Sequence, residues 1–119
     1  MIMNEPDSEC GLDVSFAVVG GKWKPLILYY LSRGPRRFGE LRRLVAGVSE
    51  KVLIQQLRQL QIDGIVSRTD HREVPPRVDY AITDYGRRLA EALMPLCDWG
   101  NANRKRVEET RRPRADDAA

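Results

Sequence analysis

An α+β, mostly helical fold is predicted by three observations. Between Arg36 and Thr83, two short amphipathic helical patterns are separated by a tight turn, Ala46-Gly47-Val48. Two strand patterns follow, joined by a loop that contains Pro75-Pro76. Basic charge is concentrated in the same region: residues 22–77 hold twelve Lys or Arg against five Asp or Glu, although the whole chain carries only +3. Helix, turn, polar-faced helix and β-ribbon, in that order, outline a winged helix-turn-helix with a two-stranded β-wing, flanked by N- and C-terminal dimerisation helices.

Size and composition set the frame. The 119 residues suit one domain, and 42% hydrophobic with 31% charged residues is ordinary for a globular protein. No run of about 18 apolar residues occurs, so no membrane partner is expected. Residues 1–13 contain four acids and no base, unlike a secretory signal. Two cysteines make no disulfide framework, and a cytoplasmic location follows. The expected organisation is a flexible N-terminus (1–9), a DNA-binding domain (10–109) and a disordered tail (110–119). Residues 10–21 and 84–109 supply the dimerisation helices.

Leu12 to Val19 is an apolar helix closed by Gly20-Gly21, residues that tolerate a left-handed C-cap. Pro25 suits the first turn of the next helix, whose Leu26, Ile27, Tyr30 and Leu31 are expected to be buried. Gly34-Pro35 ends it. A brief helix from about Arg37 to Val45 follows, with Phe38, Leu41, Leu44 and Val45 at helical spacing. Ser49 is a good N-cap for the helix after the turn. In that helix Leu53, Leu57 and Leu60 fall at i, i+4 and i+7 and pack inward. Lys51, Val52, Gln55, Gln56, Arg58 and Gln59 are left largely on the other side, up to Asp63-Gly64. Such a face fits a major groove, because Gln pairs bidentately with adenine and Arg or Lys with guanine. Ile65 to Thr69 and Arg77 to Thr83 read as strands, the second alternating Val78, Tyr80 and Ile82 with polar or small residues.

Thr83 caps a long final helix running to about Glu109. Its Leu89, Leu93, Leu96 and Trp99 form a stripe, and Pro95 is expected to kink it. So small a core cannot easily cover that stripe. A homodimer joined by Leu12 and Phe16 of the first helix with Leu89, Leu93, Leu96 and Trp99 of the last is therefore expected.

Four strings carry a family resemblance: GGKWKPLIL (20–28), GPRRFGELRRLVAGVSEKVL (34–53), LRQLQIDGIVSR (57–68) and EVPPRVDYAIT (73–83). Their order resembles the HxlR-type family of winged helix-turn-helix regulators, which are MarR-like, over residues 10 to about 100. The resemblance implies a dimeric transcription factor whose partner is double-stranded DNA. Ser49, Lys51, Val52, Gln55, Gln56 and Arg58 match its recognition helix. Arg36 and Arg37 match its basic pair, where phosphate contact is implied. Arg77 matches the basic position after Pro-Pro, with His71 and Arg72 beside it in the wing. His71 and Gly11 depart from residues common in the family, Tyr and Pro. Cys10 matches an N-terminal cysteine that several members use to sense oxidants or electrophiles. Its neighbours in sequence are acids, with no cation to stabilise a thiolate, so a plain structural cysteine stands beside the sensor reading.

Other classes fit less well. The single His71 has no neighbour suited to a triad or metal site, so neither an enzyme nor a cofactor is expected. A winged-helix protein-interaction module without DNA binding would lack the concentrated positive charge. A small-molecule effector pocket lined by Phe16, Trp23, Tyr29 and Trp99 competes with a filled core that needs the same residues. Cys97 is expected in the core. Repression is the expected action.

Overall fold

Side-chain caps set the boundaries of the two longest helices. The computed structural model describes residues 10–112; the expected flexible segment at 1–9 and most of the expected tail lie outside them. The order is α1 (Leu12–Val19), α2 (Trp23–Leu31), β1 (Arg36–Arg37), α3 (Phe38–Leu44), α4 (Glu50–Ile62), β2 (Val66–Asp70), β3 (Val78–Ile82) and α5 (Asp84–Arg111). The Ser49 hydroxyl accepts from the Val52 amide at 3.1 Å and starts α4. The Thr83 hydroxyl accepts from the Gly86 amide at 2.9 Å and starts α5. Each satisfies a donor that the first helical turn leaves orphaned. At α3 the Glu40 carboxylate performs that service in reverse, accepting from the Arg37 amide at 3.0 Å. Between α1 and α2, Gly20 is extended and the left-handed conformation falls on Gly21 (φ 92°).

The wing is the expected β2–β3 hairpin, with Thr69 opposite Asp79. A third strand extends it. Arg36 and Arg37 pair antiparallel with Tyr80 and Asp79, giving a sheet of order β1-β3-β2. The helix was expected to start at about Arg37; instead Arg36 and Arg37 form a strand and α3 begins one residue later, at Phe38. Because β3 is central, Tyr80 is buried.

The core sits where α2, α3 and α4 meet the sheet. Ile27, Leu28, Leu31, Leu41, Val45, Leu53, Leu57 and Leu60 are all essentially inaccessible. Removing one such leucine side chain to alanine typically costs about 2–5 kcal/mol. Leu26 departs from expectation: it is 40% exposed, and Leu28 takes the buried place. Helical spacing explains the exchange, since residues 27, 28 and 31 share one face and 26 lies to its side.

α5 leaves the core after its third turn. Gly86 and Ala90 are its only buried residues, and Leu89 and Leu93 pack partly against the core. Beyond them the helix continues unbroken through Pro95 to Arg111 with no buried residue. The joint at its start is tight. Thr83 donates its amide to the Ile65 carbonyl at 3.0 Å and its hydroxyl to the Gly64 carbonyl at 2.7 Å. A Cβ on Gly86 would strike the Ile65 carbonyl oxygen, so only glycine permits this approach.

Candidate DNA-binding interface

The outward face of α4 is defined by subtraction. Leu53, Leu57 and Leu60 point to the core, so the opposite side presents Lys51, Gln55, Arg58, Gln59 and Ile62, all exposed, with Ile54 beside them. These residues line one shallow groove together with Glu50. Val52 packs partly against the core and Gln56 is half-buried, so both stand at the edge of the face rather than at its centre. Ser49 spends its hydroxyl on the cap. Sequence spacing had left Ile54 and Ile62 unremarked. Ile54 is 39% exposed and Ile62 78%, although an outward-pointing direction opposite the leucine stripe was available to find them. At the N-terminal end of α4, Glu50 meets Arg42 of α3 at 3.6 Å, a pair exposed on both sides and therefore worth little energetically.

The wing is organised around one carboxylate. Asp79 on β3 accepts from Arg77 Nη2 at 3.1 Å and pairs with His71 Nε2 at 3.0 Å through the same oxygen, Oδ2. Residues 77 and 79 lie on one side of the strand, and His71 faces Arg77 across the hairpin, its amide bonded to the Arg77 carbonyl at 2.9 Å. The Arg77 hydrogen bond, opposed by partial burial and aided by His71, holds the Asp79 carboxyl below the usual carboxylate range. The same contact raises Arg77 above its ordinary value. The guanidinium expected to lie on phosphate is thus already partnered, and its Nε is buried without an acceptor. Past β2, Arg72 takes a left-handed conformation (φ 53°), with its amide bonded to the Asp70 carboxylate at 2.9 Å. The Val74-Pro75 peptide is cis. Arg72 is exposed, as is Arg37, whereas Arg36 is half-buried and reaches the Tyr30 carbonyl at 3.5 Å, the outer limit of a hydrogen bond.

The residues expected to join two copies divide into two groups. Leu89 and Leu93 belong partly to the protomer's own core. Leu12, Phe16, Leu96 and Trp99 are exposed, Phe16 at 57% and Trp99 at 58%. A filled core therefore claims Trp23 but neither Phe16 nor Trp99. An apolar groove of about 600 Å³ runs between α2 and α5, walled by Leu26, Tyr29, Leu93, Met94 and Trp99. Cys97 lines it, half-buried rather than in the core, with its sulfur 3.7 Å from the Asn101 amide nitrogen. Cys10 is exposed. Among the described residues, no cluster of His, Cys, Asp or Glu is placed to hold a metal ion, and no helix is long and apolar enough to cross a membrane.

A protein-family model described as HxlR-like helix-turn-helix matches residues 18–108. The chain belongs to that family. It is 47% identical over 91 residues to the HTH-type transcriptional regulator YkvN of Bacillus subtilis, covering 76% of this chain and 77% of that one. The redox regulator HypR in its reduced form is similar in structure, with a TM-score of 0.78 and 37% identity over 84% of this chain and 99% of HypR. Its oxidised form gives 0.75 and 38%, over 79% and 97%. The winged helix-turn-helix fold of these regulators is the fold of this chain.

Proposed function

We propose that this protein, a DNA-binding transcriptional regulator, acts as a homodimeric repressor on a roughly palindromic operator. The observation that carries the reading is the α4 surface, where Lys51, Gln55 and Arg58 stand exposed in one strip. Lys and Arg there suit guanine and Gln suits adenine, each good pairing being worth about 1–3 kcal/mol of discrimination. Arg37, Arg72 and, more remotely, Arg36 supply charge for phosphate. The exposed apolar residues of α1 and α5 support pairing of two copies, which would set the α4 helices about 34–36 Å apart, one turn of DNA. Occupancy of a promoter by such a dimer is enough to exclude polymerase, so repression rather than activation is proposed, in the cytoplasm and without a cofactor.

The test is affinity for selected and random duplexes as salt rises. Gln55→Ala and Arg58→Ala should each narrow the gap between the two duplexes by about 1–3 kcal/mol. Binding that does not weaken between about 50 and 200 mM salt would favour the rival, a winged-helix protein-interaction module.

A signal through Cys10 is proposed because its thiol is exposed and HypR, similar in fold and sequence, is a redox regulator. Operator affinity unchanged by diamide would remove it. A small-molecule effector is a second reading, favoured by the groove between α2 and α5; a ligand that binds there should alter operator affinity.

A further inference from the structure

Phosphate and hydrogen-bond chemistry accounts for the polar residues of the α4 face and leaves Ile54 without a role. The side chain lies on the exposed side of the helix, one turn after Glu50, one turn before Arg58, and adjacent to Gln55. The core beneath is already filled by Leu53, Leu57 and Leu60. A β-branched residue at a half-exposed helical position is favoured neither by helix propensity nor by hydration. An isolated surface isoleucine is commonplace and needs no explanation. This one sits inside the strip proposed to read the major groove, among Lys51, Gln55 and Arg58, and that placement restricts what can cover it.

The base edges of the major groove are hydrogen-bond donors and acceptors with one exception, the thymine 5-methyl group. We infer that Ile54 is a specificity-determining residue that covers a thymine methyl in each half-site. Its neighbour Gln55 is matched to adenine, so the two side chains together select A·T at the centre of the contact. The inference rests on α4 being the reading helix.

The experiment begins with duplexes selected from a randomised library by the full-length protein. Each thymine of the selected site is then replaced by 2′-deoxyuridine, which deletes the methyl and preserves base pairing. Affinity is read by fluorescence anisotropy for wild type, Ile54→Ala and Ile54→Val, with folding checked by circular dichroism. Covering one methyl is worth about three- to fivefold in Kd. Wild type should show that loss at one thymine per half-site, Ile54→Ala should be indifferent to deoxyuridine there, and Ile54→Val should retain part of the sensitivity. Equal losses in wild type and Ile54→Ala, or no sensitive thymine in wild type, would overturn the assignment. A library that yields no preferred sequence would instead remove the premise that α4 reads bases, and the role of Ile54 with it.

Discussion

Replacing Trp99 by alanine tests whether α5 joins two copies, and the structure sets the expected size of the effect. The indole is 58% exposed in the single chain, and Leu96, one turn earlier, is 59% exposed. A tryptophan offers up to about 250 Å², so about 140 Å² of Trp99 faces outward. At about 25 cal/mol per Å², complete cover by a partner is worth about 3.5 kcal/mol. A two-fold pair uses every interface residue twice, which doubles the ceiling to about 7 kcal/mol. Alanine keeps some contact and the interface can close around it, so about 3–6 kcal/mol is expected, or two to four powers of ten in the dimer Kd. Sedimentation velocity at micromolar concentration should find wild type as a dimer and Trp99→Ala as a monomer. Tyr85→Ala removes a comparably exposed aromatic from the first turn of the same helix and should leave the dimer intact. Trp99→Ala sedimenting with the wild-type Kd would refute the pairing surface, as would a monomeric wild type.

Other perturbations separate the roles within the domain. Arg37→Ala should weaken binding to all duplexes alike and lower the slope of log Kd against log salt by about one; Arg77→Ala should change that slope less, because Asp79 already balances its charge. Gly86→Ala would press a methyl into the Ile65 carbonyl and within 2.9 Å of its Cγ2, so urea unfolding should show a loss of about 1–3 kcal/mol, and no loss would mean a looser joint. Asp79 has its higher pKa in the unfolded chain, so its ionised form stabilises the fold fully above about pH 4 and that contribution fades as pH falls through the depressed folded value. The gap in thermal stability between wild type and Asp79→Asn should therefore narrow on acidification, and a gap independent of pH would contradict the wing's charge arrangement.

Local chemistry was legible in the sequence wherever one or two residues decide the outcome. The bounds of α1, the Ser49 and Thr83 caps and the leucine stripe of α4 all follow from capping and periodicity, and the structure has them. β1 was not legible, because two residues carry no period and its existence depends on a partner strand more than forty positions later, at Asp79 and Tyr80. The burial of Leu26 was misjudged for a related reason, and of the two readings offered for Phe16 and Trp99 their exposure departs only from the filled core. An apolar stripe looks the same whether its own core or another surface covers it. Arg77 and Asp79 could have been found: opposite charges two apart on a strand share a face, and that spacing points to a pair before any phosphate is considered. Ile54 escaped because the polar residues around it drew the reading toward hydrogen bonds.

The latch between Thr83 and Ile65, closed by Gly86, makes the end of the reading unit and the root of α5 a single mechanical piece. At 28 residues α5 is about 42 Å long, a lever fixed at one end to the DNA-binding body. In a molecule paired near Trp99, about 22 Å along α5 from its root, a tilt of about 9° carries the root about 3.5 Å, roughly the rise of one base pair. A chemical event too small to unfold anything, placed where the levers meet, would thus shift the separation of the two α4 helices by about one base-pair rise.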